Sequence, residues 1–338
     1  MPPRPQDGVR VETAVHLLTP FEMLAILATT SAGLALAQPY PTRPLRFIVP
    51  FVPGGGLDVT ARLLAPGMAQ SLGKQVVIDN RPGAGGAIAL EMAARATPDG
   101  HTFIMVSASH VIQAVLGMGA NGNMDFFRDL APVTEVIATP YALVTWPGLP
   151  VRSVKELIAH AKAYPNKLSY GTSGNGTLQH LSMELFLQAM NLQAQAVPYK
   201  GVGATLPDLF AGRIQILMSS LSSLTSHIRA KSLTALAVTT RERNAALPEL
   251  PTMIESGIAD YDVSQWQGVL ITTGTPAAII ARLQHDIANA ARVPIVAAHF
   301  ASDGSTTVVS KPAVFQSALH GERKKWSAVI QRAGLKNN

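Results

Sequence analysis

From Tyr40 onward, short apolar runs alternate with stretches whose apolar residues recur every three or four positions. "LRFIVPF" from Leu45, "QVVIDN" from Gln75 and "TFIMVSAS" from Thr102 are rich in β-branched and aromatic residues and read as buried strands. Residues 58–72 and 87–96, lying between them, carry helical periodicity. Successive strand-helix-strand units predict a mainly parallel sheet with helices on both faces. Pro66-Gly67 predicts a kink or an early stop in the first helix, because proline removes an N–H and its ring presses on the preceding turn.

The alternation resumes past Pro150. Ser153 and Glu156 have the spacing of a capping box, Val154, Leu157, Ile158 and Ala161 form one stripe, and Pro165 ends the helix. "KLSYGTS", "QAVPY" and "RIQILMS" follow as strands. Between them lie a helix over 178–190, with Leu181 and Leu185 inward, and a short one around Asp208 stopped by Gly212. In "GVLITTGTPAAII", Thr275 is placed to cap a helix with Pro276 at its first position, running through Ile280, Leu283 and Ile287. A last amphipathic helix over 313–331 carries Phe315, Leu319, Trp326 and Ile330. Two α/β lobes joined by short crossings fit this pattern better than two domains on a string.

Composition narrows the classes. With 338 residues, 47% hydrophobic and 14% charged, the chain buries a sizeable core and is too apolar for disorder. Its +6 charge is scattered, without the basic tracts of a nucleic-acid binder. Zero cysteines exclude disulfides, thiol nucleophiles and a lipid attachment site, and no two of the 9 histidines stand at i, i+4, so no metal is expected. The run 23–37, "MLAILATTSAGLALA", is too short to span a bilayer and ends in the small-x-small pattern Ala35-Leu36-Ala37 of a cleaved export signal. Arg4 and Arg10 are outnumbered by Asp7, Glu12 and Glu22, so the signal is atypical or the true start lies elsewhere; a buried helix of the mature fold is the alternative. Cleavage after Ala37 would release a free, soluble exported protein beginning at Gln38.

Three glycine-rich turns follow three expected strands: "PGGGLD" from Pro53, "NRPGAGG" from Asn80 and "GTSGNGT" from Gly171. Each marks the strand-to-helix edge where open α/β sheets bind ligands, and glycine lets an anion approach backbone N–H groups at a helix start. Nucleotide motifs fail in detail. Gly56 is followed by Leu57 and Asp58 where a Walker loop needs Gly-Lys-Ser/Thr, and Ile88 stands where a dinucleotide fingerprint needs its third glycine. The serine-hydrolase elbow fails at Asn175.

The blocks "YPTRPLRFIVPFVPGGGLDVTAR", "NRPGAGGAIALEMAARATPDGHT", "DLAPVTEV", "KLSYGTSGNGTLQHLSMELF", "VPYKGVGATLPDLFAGRIQ", "LPELPTMIESG" and "WQGVLITTGTP" occur in order. They resemble the substrate-binding proteins of tripartite tricarboxylate transporters, the Bug family, from about Tyr40 to the carboxyl terminus. The resemblance implies a type II periplasmic-binding-protein fold: two α/β lobes joined by two hinge strands, closing on a small carboxylate. It implies lobe 1 at 38–138 and 266–338, lobe 2 at 139–265, and a monomer without cofactor that hands its ligand to a membrane permease or a sensor.

Carried onto matching positions, lobe 1 contacts are Phe51, Pro53, Gly54, Gly55, Ala84 and Gly85, and Ser107 at the third strand's end joins the set. Lobe 2 supplies Ser173, Thr177 and His180, with Tyr199 and Lys200 nearby. Asp58 reads either as a contact or as a charge serving its helix start. His180 has the same ambiguity, Lys200 reads equally as a solvated turn residue, and Trp266 either covers the ligand or packs the hinge. Leu57 departs from the family's usual serine and Ala204-Thr205 from its Pro-Ala. The rival function is an exported hydrolase using Ser173, His180 and Asp208. A nucleotide-dependent cytosolic enzyme would require the amino-terminal segment to be retained.

Overall fold

Leu45, Phe47, Ile48 and Val49 are buried together, as expected of a strand covered on both faces. The computed structural model describes residues 1, 40–117 and 124–335. The expected signal over 1–37 lies outside the described residues. The chain from Pro41 onward forms one unit, divided from the segment ending at Tyr40.

Its strands are β1 (Leu45–Val49), β2 (Val76–Asn80), β3 (Thr102–Ser107), β4 (Leu130–Thr145), β5 (Ser169–Thr172), β6 (Gln195–Pro198), β7 (Ile216–Ser220), β8 (Thr234–Val238), β9 (Ser264–Thr272) and β10 (Thr306–Thr307). The helices are α1 (Gly56–Leu72), α2 (Ala87–Ala94), α3 (Ala108–Val115), α4 (Phe126–Asp129), α5 (Val154–Ala163), α6 (Leu178–Met190), α7 (Val202–Phe210), α8 (Leu221–Arg229), α9 (Ala277–Arg292), α10 (Pro294–Ser302) and α11 (Pro312–Arg332).

Strand order is β2-β1-β3-β9-β4-β7-β5-β6, with β8 and β10 also on β4. The predicted parallel units are present: β1 runs parallel to β2 and β3, and β5 to β6 and β7. The strands that join them are antiparallel, so the sheet is mixed rather than mainly parallel. β4 makes the junction, pairing with β9 from Leu130 to Pro140, with β7 from Tyr141 to Thr145 and with β8 from Ala142 to Thr145. Pro132 has no N–H for the ladder, and the register shifts between Pro132 and Thr134 and again between Glu135 and Ile137.

The first helix differs from its sequence expectation. α1 passes through Pro66 and ends at Leu72, where Gly73 takes a left-handed φ of 65°. Pro66 is exposed, and so is Arg62, the residue whose carbonyl loses its helical partner. Gly67 faces α9, where a Cβ would stand 2.9 Å from that of Ala290; the residue pair that suggests a break instead permits a close helix crossing. Further along, α9 begins at Ala277 with Pro276 as its N-cap, and the Thr275 hydroxyl donates to the Thr272 carbonyl at 2.8 Å instead of capping the helix. In the expected capping box, Ser153 accepts from the Glu156 N–H while the Glu156 carboxylate takes the N–H of Arg152, one residue before the cap.

α11 closes the core over the junction. Its Trp326 is fully buried, and its Phe315 receives Trp266 of β9 edge-on at 5.4 Å between ring centres. Trp266 therefore packs the joining strands. A Cβ on Gly268 would stand 2.4 Å from the Phe315 ring and 2.9 Å from the Thr134 carbonyl. Gly268→Val is expected to lower unfolding stability by about 1–3 kcal/mol through overpacking, measured by urea denaturation followed by tryptophan fluorescence.

Candidate functional site

The turn after β1 is held by a buried carboxylate. Asp58 accepts from the Gly54 N–H at 2.8 Å, from Arg62 Nε at 2.8 Å and from Asn80 Nδ2 at 2.8 Å. Asn80 also donates to the Phe51 carbonyl at 3.0 Å, so both ends of the turn are tied to β2. Burial raises the Asp58 pKa, but the Arg62, Gly54 and Asn80 donors outweigh it and bring it to about 2. The charge is consumed within the protein. Gly55, the N-cap of α1, provides no side-chain cap, which leaves the helix start to whatever approaches from outside.

The second turn has positive φ at four consecutive residues: Gly83 (133°), Ala84 (46°), Gly85 (64°) and Gly86 (103°). It lies on α3. A Cβ on Gly85 would meet the Gln113 amide at 2.9 Å, and one on Gly86 would meet His110 Nε2 at 2.7 Å. His110 is buried, its ring 5.6 Å from that of Phe51. Ser107 caps α3, and its N–H donates to His110 Nδ1 at 3.0 Å. Burial holds the His110 pKa down to about 4, so the ring is neutral and its remaining proton is on Nε2. Phe51, Pro53, Gly54, Gly55, Ala84, Gly85 and Ser107 thus belong to one neighbourhood joined through Asp58, Asn80 and His110.

The third turn is closed by its own hydroxyls. Thr172 and Thr177 both donate to the Gly174 carbonyl, at 2.9 and 2.8 Å, and Thr177 caps α6 by accepting from the His180 N–H. Gly176 abuts the end of α3: a Cβ there would stand 2.8 Å from Leu116 Cδ1, which brings this turn up to the first neighbourhood. Tyr199 is attached to it through its N–H, which donates to the Thr172 carbonyl at 2.8 Å. Lys200 is exposed.

The hydrolase residues are engaged elsewhere. Ser173 Oγ donates to Gln179 Oε1. His180 Nδ1 accepts from the Gly176 N–H at 3.1 Å, its ring stacks on Tyr170, and burial lowers its pKa against the opposing pull of Glu184. Asp208 takes the Tyr199 hydroxyl at 2.7 Å and Arg213 at 2.9 Å, and burial together with Asp208 raises the Tyr199 pKa to about 12. Sequence reasoning missed Asn80, His110, Gln113, Gln179 and Gln267. Only His110 had a signal, the capping spacing from Ser107.

Among the described residues, two α/β layers share one strand and set uncapped or glycine-built turns at their meeting edge, the architecture of the type II periplasmic-binding-protein class. The chain belongs to the tripartite tricarboxylate transporter family receptors, whose family model matches residues 60–335. It is 34% identical to Protein BugT of Bordetella pertussis over 319 residues, 93% of this chain and 98% of that one. Among solved structures it is similar to R. palustris Rpa4515 with adipate, at 34% identity and TM-score 0.71 over 87% of this chain and 98% of that one. MatC from Rhodopseudomonas palustris with bound malate matches at 26% identity and TM-score 0.68, over 86% of this chain and 100% of that one. The family consists of solute-binding proteins, not enzymes.

Because the Asp58 pKa is depressed in the fold, from 3.8 to about 2, its contribution is fully present above 3.8 and is lost as pH falls through 2. Wild type is expected to lose about 2 kcal/mol over that window that Asp58→Asn does not lose, read from urea unfolding at neutral pH and near the lower limit.

Proposed function

We propose that the protein captures a small carboxylate-containing solute and delivers it to a tripartite tricarboxylate-type permease or a sensor. The observation that carries the reading is the α1 start: a helix amino terminus with no side-chain cap, next to a carboxylate already paired with Arg62 and hydrogen-bonded by Asn80. Backbone N–H groups and the helix dipole there favour an anion. The adjoining turn at Ala84 and Gly85 has no Cβ beyond that of one alanine to obstruct approach. Adipate and malate in the two relatives support the same ligand class.

In this reading Phe51, Pro53, Gly54, Gly55, Ala84, Gly85 and Ser107 form the face that holds the carboxylate. Ser173, Thr177 and His180, with Tyr199 and Lys200 behind them, read the rest of the ligand, and Asp58 acts through the turn it clamps. Residues 38–138 with 266–338 move as one lobe and 139–265 as the other, flexing where β4 changes partners after Pro140. A ligand touching both lobes favours closure by what it gains there. Among the described residues no helix is long and apolar enough to cross a membrane. We place the mature chain in the periplasm, as a monomer, after removal of 1–37.

A thermal-shift and calorimetry panel of mono-, di- and tricarboxylates, amino acids and aromatic acids tests this. One carboxylate class is expected to stabilise the protein by about 2.7 kcal/mol at a hundredfold excess over its dissociation constant, and Gly55→Trp to abolish the effect while the protein stays folded. Binding that survives Gly55→Trp, or no carboxylate binding at all, would refute it.

A further inference from the structure

Two buried polar atoms beside the first neighbourhood have no hydrogen-bond partner among the described residues. One is His110 Nε2, which carries the ring proton because Nδ1 is occupied by the Ser107 N–H at 3.0 Å. The other is Gln267 Oε1 on β9. The residues are close in the fold. Gln267 is the cross-strand partner of Ser107, and Ser107 is the residue His110 bonds. Both are more than nine-tenths buried. Each also lies under a glycine at the site. His110 Nε2 would be 2.7 Å from a Cβ on Gly86, and Gln267 Nε2 would be 3.6 Å from a Cβ on Gly56, the first residue of α1. The Gln267 amide thus directs its nitrogen to the α1 start and leaves its oxygen free.

A buried donor and a buried acceptor left unpaired are costly, and folds rarely retain them without a use. One is an N–H that needs an acceptor; the other is a carbonyl oxygen that needs a donor. A hydroxyl is both at once. A bare carboxylate oxygen satisfies His110 only, and an ammonium satisfies Gln267 only.

We propose that His110 and Gln267 are specificity-determining residues that read a hydroxyl next to the ligand's carboxylate, so that the protein selects hydroxycarboxylates over their deoxy analogues. This rests on the carboxylate reading above. The Gly83–Gly86 turn lies over the imidazole with glycine where any side chain would block Nε2, and the carboxylate at the α1 start brings the neighbouring carbon of the ligand toward Gln267.

The test is titration calorimetry of the mature protein with matched pairs that differ by one hydroxyl: lactate and propionate, malate and succinate, mandelate and phenylacetate. At least one pair is expected to show a tenfold or greater preference for the hydroxylated member. Gln267→Met keeps the side chain's length but removes the amide, its unpaired oxygen and its nitrogen alike. It is expected to erase the preference and to raise the melting temperature of the ligand-free protein. A merely structural Gln267 would instead lower that melting temperature and leave the preference intact. His110→Gln provides the second arm and is expected to weaken the hydroxylated member at least fivefold. Equal binding within every pair, or a preference that persists in Gln267→Met, would overturn this inference and leave the carboxylate reading standing. Failure of every carboxylate to bind would overturn both.

Discussion

The site depends on one strand shared by two sheets. β4 gives its first part to β9 and its second to β7 and β8, and this sharing sets the parallel strands β1–β3 and β5–β6 on opposite sides of a junction. Were β4 two strands joined by a loop, the turns that follow β1 and β5 would have no fixed relation. Because it is continuous, the third turn reaches α3, where Gly176 meets Leu116. The backbone pairing of β4 with β9 and the packing of Trp266 and Phe315 over it provide the rigidity. In the proposed two-lobe movement, β4 flexes at its partner change after Pro140.

On this scaffold the site is built of backbone rather than of charged side chains. Asp58 holds the first turn from inside with its charge answered by Arg62, Asn80 and the Gly54 N–H. The second turn keeps four residues at positive φ, three of them glycine, over an imidazole held neutral by burial. A face of N–H groups attracts any carboxylate and says little about the rest of the molecule. In the proposed reading, discrimination falls to a few buried polar atoms near that face.

Much of this was legible along the chain. The strand-helix-strand units, the glycine turns, the failure of the nucleotide motifs and the Bug-family resemblance follow from local pattern, because a buried parallel strand and a glycine turn each announce themselves within a few residues. β4 did not. Pro132 and Pro140 argue against a strand on propensity, and only the register shifts and the antiparallel partner β9, more than a hundred positions along the chain, make room for them. Pro66-Gly67 misled for the same reason. A proline facing water and a glycine facing Ala290 are compatible with a continuous helix, and neither facing is written in the local sequence.

The sequence by itself determined the elements and the chemistry of the site: short-range periodicity sets the first, and glycine where a strand meets a helix sets the second. Tertiary structure decided what each polar group is for. It tied Asp58 to Arg62 and Asn80, gave Ser173, His180 and Asp208 separate side-chain partners, and left His110 Nε2 and Gln267 Oε1 without partners among the described residues. The physical reason is that a hydrogen bond forms between groups close in space. Residues such as Ser107 and Gln267 are neighbours only because β3 and β9 pair.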